Sequence, residues 1–195
     1  MTIKTPGILV DVDSTLYDAD PVYLKYFDLL YGVKVTPAEL DEYDFWKGRI
    51  SLEQFLEVVT HLHSEEEILG AQPYMSAVAT LQAWWKQGWR LHIVSDRKPQ
   101  TVPATVAWLE HQGIEAEAVV LEHRINKLAY AHAHDLGVII DDKPGLLSKA
   151  AEVGLIAASV KHAYHDASLL ADPKIIIEDN WISLAQKIEE RLLAE

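Results

Sequence analysis

A short apolar run near the start of the chain, residues 8–10, ends directly in Asp11-Val12-Asp13. An apolar run of this length is typical of a strand buried on both faces of a parallel sheet. Because such sheets bind ligands at the carboxyl ends of their strands, we expect both aspartates at a binding edge. Carboxylates held together there need a cation or protons to offset their charge. An aspartate after a strand can also simply cap the next turn, so the pair alone leaves both interpretations open.

From residue 73 onward, segments with helical periodicity alternate with short apolar runs. These runs predict further strands at residues 90–94, 118–121, 137–140, 155–160 and, as a short edge strand, 174–178. Strand–helix–strand units at this spacing form right-handed crossovers in a parallel sheet that has helices on both faces. We therefore predict an α/β fold with a three-layer, Rossmann-like parallel sheet in the strand order 5-4-1-2-3.

Residues 20–72 differ from this pattern because they contain helical signals and no predicted strand. The signals are apolar residues at helical spacing and capping boxes that begin at Thr36, Ser51 and Ser64. We expect a small helical module inserted after the first strand. Residues 1–19 and 73–195 would then form the Rossmann-like core.

The composition excludes several classes of function. The 195 residues carry a formal net charge of −13, which argues against binding to a nucleic-acid polymer or an anionic membrane. Without cysteine, disulfides, thiolate metal sites and thiol catalysis are impossible. Residues 2–6 do not resemble a signal peptide, and no apolar window is long enough for a membrane span. A soluble, cytoplasmic protein is expected, and its oligomeric state stays open.

Polar residues follow four of the predicted strands, and parallel strands bring these ends to one edge of the sheet. They are Asp11 and Asp13, Ser95 and Asp96, Lys127, and Asp141 and Asp142. Two like charges about 4 Å apart repel by roughly 4 kcal/mol at a surface-like effective dielectric. Oxygen ligands without histidine or cysteine favour Mg²⁺ as the compensating cation. Taken singly, Ser95 is equally well explained as a helix cap and Lys127 as a solvated first-turn residue.

These motifs, in this order, resemble those of the haloacid dehalogenase superfamily in its phosphatase branch. Residues 11–16 resemble motif one, Ser95 motif two, Lys127 motif three and Asp141-Asp142 motif four, while the helical module resembles a type-one cap. The sequence departs from the family at Ser14, where most members have glycine. Phosphoserine phosphatases of the superfamily also carry serine there.

The resemblance implies a Mg²⁺-dependent phosphomonoesterase. Asp11 would attack phosphorus and form an aspartyl-phosphate. Asp13 would protonate the leaving alcohol and then take a proton from the hydrolytic water. The carboxylates of Asp11 and Asp142 and the backbone carbonyl of Asp13 would hold Mg²⁺, with Asp141 close by or acting through water.

The resemblance also implies a phosphate site. Ser95 and neighbouring backbone N–H groups, such as that of Asp96, would cradle the phosphoryl oxygens, and Lys127 would balance their charge. Residues 140–144 and the spacing from Arg124 to Lys127 are similar to the 5′(3′)-deoxyribonucleotidase-like phosphatases. That branch implies a small phosphorylated substrate such as a (deoxy)nucleoside monophosphate. Aromatic cap residues stack on the base in that branch, and the candidates for this role here are Phe45 and Trp46.

Other interpretations stay open at this point. Within the superfamily they are a phosphoserine- or sugar-phosphate-type phosphatase and a phosphoryl-transfer mutase. A receiver-like phosphoacceptor signalling domain has a similar residue set, but its acceptor lies on a middle strand and it lacks a helical insertion. A catalytically silent binding protein is a third class. The histidines spaced by two residues are predicted on the surface, and those after the fifth strand in a loop: His61, His63, His132, His134, His162 and His165.

Overall fold

The computed structural model describes residues 6–194 and shows one sheet of six parallel strands. The prediction about a signal peptide at residues 2–6 falls outside the described residues, apart from Pro6. The strands are β1 (Gly7–Val10), β2 (Arg90–Ser95), β3 (Ala118–Leu121), β4 (Val138–Ile140), β5 (Ile156–Val160) and β6 (Ile175–Glu178). Their order is β3-β2-β1-β4-β5-β6. The predicted fold class is confirmed, and the predicted order needs one addition, because β6 extends the sheet beside β5.

Helices connect the strands and flank the sheet. In the described chain they are α1 (Asp20–Tyr31), α2 (Leu52–Leu62), α3 (Glu65–Gly70), α4 (Met75–Lys86), α5 (Val102–His111), α6 (Lys127–Ala133), α7 (Pro144–Glu152), α8 (Ala167–Ala171) and α9 (Trp181–Ala194). None of them is both long and apolar enough to cross a membrane.

Each face of the sheet packs on its own hydrophobic cluster, because successive side chains of a strand point to opposite faces. Ile8 and Val10 of β1 belong to one cluster, and Leu9 belongs to the other. The central strand β1 is therefore fully buried between β2 and β4. The pairing continues one residue further, since the Asp11 backbone N–H donates to the Ile140 carbonyl at 2.9 Å. This bond places Asp11 at the carboxyl edge, in the middle of the sheet.

Residues 20–72 hold three helices and a short 3₁₀ turn, Pro37–Glu39, and no strand. The predicted capping box of α2 is present: the Ser51 hydroxyl accepts from the Gln54 N–H, and the Gln54 side chain accepts from the Ser51 N–H at 2.8 Å. A third hydrophobic cluster, centred on Phe27, Phe45 and Val58, lies among these helices. We call this helical segment the cap.

The cap is not wholly separate from the rest of the chain. Leu62 and Ile68 belong to the cluster under the sheet rather than to that of the cap. The indole N–H of Trp108, on α5, also donates to the Ala71 carbonyl at 2.8 Å. The boundary at residue 72 stays a prediction, and α3 packs against the core.

Candidate active site

Residues that follow three central strands meet at the carboxyl edge of the sheet. Asp11 follows β1, Ser95 ends β2, and Asp141 and Asp142 follow β4. The carboxylates of Asp11, Asp141 and Asp142 each offer an oxygen within 4.8 Å of the others, and all three residues are buried. The predicted convergence of motifs one and four is therefore found in the structure.

Lys127, the first residue of α6, bridges two of these carboxylates. Its Nζ is 2.8 Å from Asp11 Oδ1 and 2.6 Å from Asp141 Oδ2. Although burial favours the neutral amine, the charges of Asp11 and Asp141 raise the pKa of Lys127 above its usual value. The lysine is thus an ammonium that bridges motifs one and four, and it is not a solvated first-turn residue.

One ammonium does not compensate three carboxylates. Burial raises the pKa of Asp11 to about 6; Lys127 opposes the shift, and repulsion from Asp141 adds to it. Burial and the charges of Asp141 and Asp11 likewise hold the pKa of Asp142 well above its ordinary range. The cluster needs a further cation or protons, and its donors are the hard oxygens that Mg²⁺ prefers. These residues fit a magnesium ion.

The Asp13 side chain points away from this cluster and belongs to a second network. Arg97 contacts both of its oxygens, with Nε 3.0 Å from Oδ2 and Nη2 2.8 Å from Oδ1. The Tyr17 hydroxyl donates to Oδ1 at 2.6 Å, and His63 Nε2 lies 3.3 Å from Oδ2. Burial alone would raise the pKa of Asp13, but Arg97 and His63 hold it well below its usual value. The Asp13 carboxylate is therefore engaged by these partners, whereas the metal ligand that the resemblance implies is the Asp13 backbone carbonyl.

None of the three partners of Asp13, which are Arg97, Tyr17 and His63, was predicted to belong to the site. Arg97 was visible as the residue after Ser95-Asp96, but no spacing signal marks its role. His63 was predicted on the surface, and this prediction is wrong: its side chain is 13% exposed and faces Asp13. The spacing of two places the neighbouring His61 on a different face, where it stacks on Tyr26 at 4.7 Å. The exposed positions predicted for His132 and His134 are correct.

Ser14, the departure from the family pattern, lies in the turn that follows Asp13. Its φ of 55° is in the left-handed region, where a Cβ is unfavourable and glycine is favoured. The turn is closed by the Leu16 N–H, which donates to the Val12 carbonyl at 2.9 Å. This conformation explains why glycine suits the position, and Ser14 adopts it here.

The two candidate phosphate-binding residues of motif two differ in exposure. Ser95 is 1% exposed and lines a cavity together with Asp11. The Asp96 side chain is 56% exposed, lies 3.5 Å from His123 Nδ1 and accepts a hydrogen bond from the Arg124 backbone N–H. Its carboxylate therefore ties the end of β2 to the turn before α6, and only its backbone is suited to an anion. Binding of phosphate by these residues stays a prediction.

A cavity of about 280 Å³ separates the cap from Asp11, Asp13 and Ser95. Its cap side is largely aromatic, being lined by Tyr23, Tyr43, Phe45, Trp46 and Phe55. The two residues predicted to stack on a base are placed differently. Phe45 is 7% exposed and packs on Phe27 within the cap, whereas Trp46 stacks on Phe55 at 4.8 Å at the cavity wall.

Solved structures with a similar fold are haloacid dehalogenase-like hydrolases. A hydrolase of this kind from Streptococcus pneumoniae is 18% identical with a TM-score of 0.68, over 96% of this chain and 100% of the other. A predicted phosphoglycolate phosphatase from Haemophilus somnus is 14% identical with a TM-score of 0.67, over 98% and 99%. A family IA hydrolase of the superfamily from Entamoeba histolytica is 11% identical with a TM-score of 0.65, over 98% and 100%.

These matches span nearly the whole of each chain, and at such identities they establish the fold. The protein has the α/β fold of the haloacid dehalogenase-like hydrolases. No family model matches the sequence, and no curated protein matches it.

Proposed function

We propose that the protein is a Mg²⁺-dependent phosphomonoesterase that acts through an aspartyl-phosphate on Asp11. The observation that carries this proposal is the buried cluster of Asp11, Asp141 and Asp142 at the carboxyl edge of the sheet, in which Lys127 pairs with Asp11 and Asp141. Solved structures of the same fold, described as a hydrolase and as a predicted phosphoglycolate phosphatase, support the reaction class.

In the first step, a carboxylate oxygen of Asp11 attacks phosphorus and the bond from phosphorus to the ester oxygen breaks. The leaving oxygen takes a proton from Asp13. In the second step, Asp13 takes a proton from water, the water oxygen attacks phosphorus, and inorganic phosphate leaves the regenerated Asp11 carboxylate. Lys127 keeps Asp11 in place by its ion pair and offsets negative charge on the phosphoryl group.

Magnesium would be held by the carboxylates of Asp11 and Asp142 and the carbonyl of Asp13. Asp141, already paired with Lys127, would act close by or through water. When bound, Mg²⁺ supplies positive charge that stabilises the phosphoryl oxygens.

The network around Asp13 bears on its two proton transfers. With its pKa held well below the usual value, Asp13 is ionised in the free protein, which is the form that can take a proton in the second step. A phosphate dianion brought beside it is a like charge, which raises the pKa and favours the protonated form needed for the first step. The substrate therefore shifts Asp13 toward its acid form.

The aromatic cap side of the cavity favours a substrate with a planar organic group. This supports a small phosphorylated metabolite, and within that class a (deoxy)nucleoside monophosphate, as for the 5′(3′)-deoxyribonucleotidase-like branch. Trp46 is the better placed of the two candidates for contact with a base, because Phe45 is buried in the cap. A receiver-like signalling role is disfavoured, because the cap covers Asp11.

The test is hydrolysis of p-nitrophenyl phosphate with Mg²⁺, followed by a panel of nucleoside monophosphates, sugar phosphates and phosphoserine. We expect turnover by the wild type and none by Asp11→Asn. Asp179→Asn is the matched control, because its side chain is 86% exposed, and it should leave the rate unchanged. Absence of turnover by the wild type across the whole panel would contradict the proposal.

A further inference from the structure

The loop after β5, residues 161–166, contacts Asp142 from two sides. The Tyr164 hydroxyl donates a 2.8 Å hydrogen bond to Asp142 Oδ2, and His165 Nε2 lies 2.9 Å from the Asp142 backbone carbonyl. Within residues 6–194, Tyr164 is the one hydrogen-bond donor to this carboxylate. None of the proton transfers or bond changes proposed above uses either residue.

The rings of this loop hold one another in place. His162 stacks on Tyr164 with centroids 4.9 Å apart and planes at 5°, and His165 meets Tyr164 edge-on at 5.1 Å. The His162 backbone N–H lies 3.3 Å from His165 Nδ1, which accepts its hydrogen bond. Nε2 of His165 therefore carries the proton and donates to the Asp142 carbonyl. Both the backbone and the side chain of Asp142 are thus bound to one ordered group of rings.

The same loop touches the cap. Tyr43, from the cap, meets the Tyr164 ring edge-on at 5.5 Å with an interplanar angle of 79°. Lys143, the residue after Asp142, has its Nζ 5.9 Å from the centroid of the Tyr43 ring. The Tyr43 side chain therefore contacts both Lys143, which follows Asp142, and Tyr164, which hydrogen-bonds to Asp142.

We propose that Tyr164 is a positioning residue that holds the Asp142 carboxylate for a divalent cation and links that carboxylate to the cap through Tyr43. The inference rests on the proposed function, because it takes Asp142 as a ligand of Mg²⁺. Hydrogen bonds to a ligating carboxylate fix its orientation, and loss of such a partner typically weakens metal affinity about 10- to 100-fold. The coupling is reciprocal, so binding of the cation also stabilises the contact of the cap with Tyr164 through Tyr43.

The first test compares Tyr164→Phe with the wild type by titration calorimetry with MgCl₂, on the whole protein without substrate. The variant removes one hydroxyl and keeps the ring contacts. We expect its dissociation constant for Mg²⁺ to rise about tenfold or more. Tyr26→Phe is the control, because it removes a hydroxyl that donates to Glu67 at 2.9 Å outside the site, and it should bind Mg²⁺ as the wild type does.

The second test adds Tyr43→Ala, which removes the cap ring and leaves the Tyr164 hydroxyl. Alone it should weaken Mg²⁺ binding several-fold, and in the Tyr164→Phe background it should have no further effect. Thermal unfolding without Mg²⁺ establishes that each variant is folded. Metal affinity is measured without substrate, so any change that Tyr43→Ala causes in the substrate cavity does not enter the result.

The outcomes separate this inference from the proposed function. If the wild type binds Mg²⁺ and Tyr164→Phe binds it equally well, the positioning role is wrong while the phosphatase proposal stands. If the two substitutions weaken binding additively, the link to the cap is wrong. If the wild type does not bind Mg²⁺ at all, the metal site of the proposed function is wrong, and this inference is wrong as well.

Discussion

Arg97 and Asp13 form a two-point ion pair in which the guanidinium is 1% exposed and both carboxylate oxygens are engaged, at 3.0 and 2.8 Å. The same arginine reaches the Thr105 hydroxyl at 2.8 Å and the Tyr17 hydroxyl at 3.1 Å. The candidate acid–base residue is therefore anchored to α5 and to the turn before the cap. The planar guanidinium of Arg97 holds the Asp13 carboxylate better than a lysine would, because it fixes the orientation of the carboxylate as well as balancing its charge.

The first prediction concerns stability. Arg97→Leu would leave the Asp13 carboxylate without its main partner, and breaking a buried pair in this way typically costs about 3–5 kcal/mol. We expect the free energy of unfolding, measured by urea denaturation at pH 7, to fall by about that amount. Arg90→Leu is the control: its pair with Glu117 at 3.0 Å is solvent-exposed and should be worth about 1 kcal/mol or less. Equal losses of unfolding free energy in the two variants would show that the buried Arg97–Asp13 pair stabilises the fold no more than an exposed ion pair does.

The second prediction gives the pH dependence of that pair. The pKa of Asp13 is lower in the folded protein than in the unfolded chain, where it is about 3.9. Its contribution to stability is therefore fully present above about pH 4 and is lost as the pH falls toward the folded pKa. The difference in free energy of unfolding between the wild type and Asp13→Asn should shrink as the pH falls below about 4, because Asp13 becomes protonated there. A difference that did not shrink below about pH 4 would contradict a lowered pKa of Asp13 in the folded protein.

The sequence predicts which edge of the sheet carries the site, but it does not predict the contacts between the side chains of the site. Alternation of strands and helices places Asp11 and Asp142 at strand ends in any parallel sheet of this order. The Lys127 side chain reaches Asp11 and Asp141 because α6 begins at that edge. These placements follow from backbone topology, which leaves a periodic signal in the sequence.

Arg97, His63 and Tyr164 carry no such signal. Each lies in a turn or loop, or just past the end of a helix, and its contact depends on which way a single side chain turns when the cap and the β5 loop pack against the core. The misplaced His63 shows the reason. A spacing of two residues separates His61 from His63 on the helix surface, but it does not say which of them faces the core.

The third prediction concerns the nucleophile. Burial raises the pKa of Asp11 to about 6 in the protein without a cation, and only the ionised carboxylate can attack phosphorus. The rate at limiting substrate should therefore fall as the pH drops below about 6. A bound cation favours the carboxylate form of Asp11. The acidic limb of the pH–rate profile should therefore move to lower pH as the Mg²⁺ concentration rises. The measurement is kcat/KM for p-nitrophenyl phosphate from pH 4.5 to 8 at two Mg²⁺ concentrations, and a limb that does not move with Mg²⁺ would count against Asp11 as a ligand.

The fourth prediction separates the two aromatic cap residues. Phe45 is 7% exposed and packs on Tyr23 and Phe27 with centroids 5.6 and 5.4 Å away. Phe45→Ala should therefore lower the free energy of unfolding by about 3 kcal/mol or more, as for other buried aromatic residues. Trp46 lies at the cavity wall, where it stacks on Phe55. Trp46→Ala should therefore lower the free energy of unfolding less than Phe45→Ala does, and it should weaken substrate binding.

For Trp46→Ala we expect KM for nucleoside monophosphates to rise about tenfold while KM for p-nitrophenyl phosphate changes little, because stacking on a base is worth about 1–3 kcal/mol. Trp46→Phe keeps an aromatic face and should restore most of the loss, which a purely structural role would not explain. Equal increases in KM for both substrates would exclude base stacking by Trp46. The phosphate site at Asp11 and Lys127 would be unaffected by that result, because the indole stacks on Phe55 within the cap, whereas the carboxylates and the ammonium are held by the sheet edge and α6.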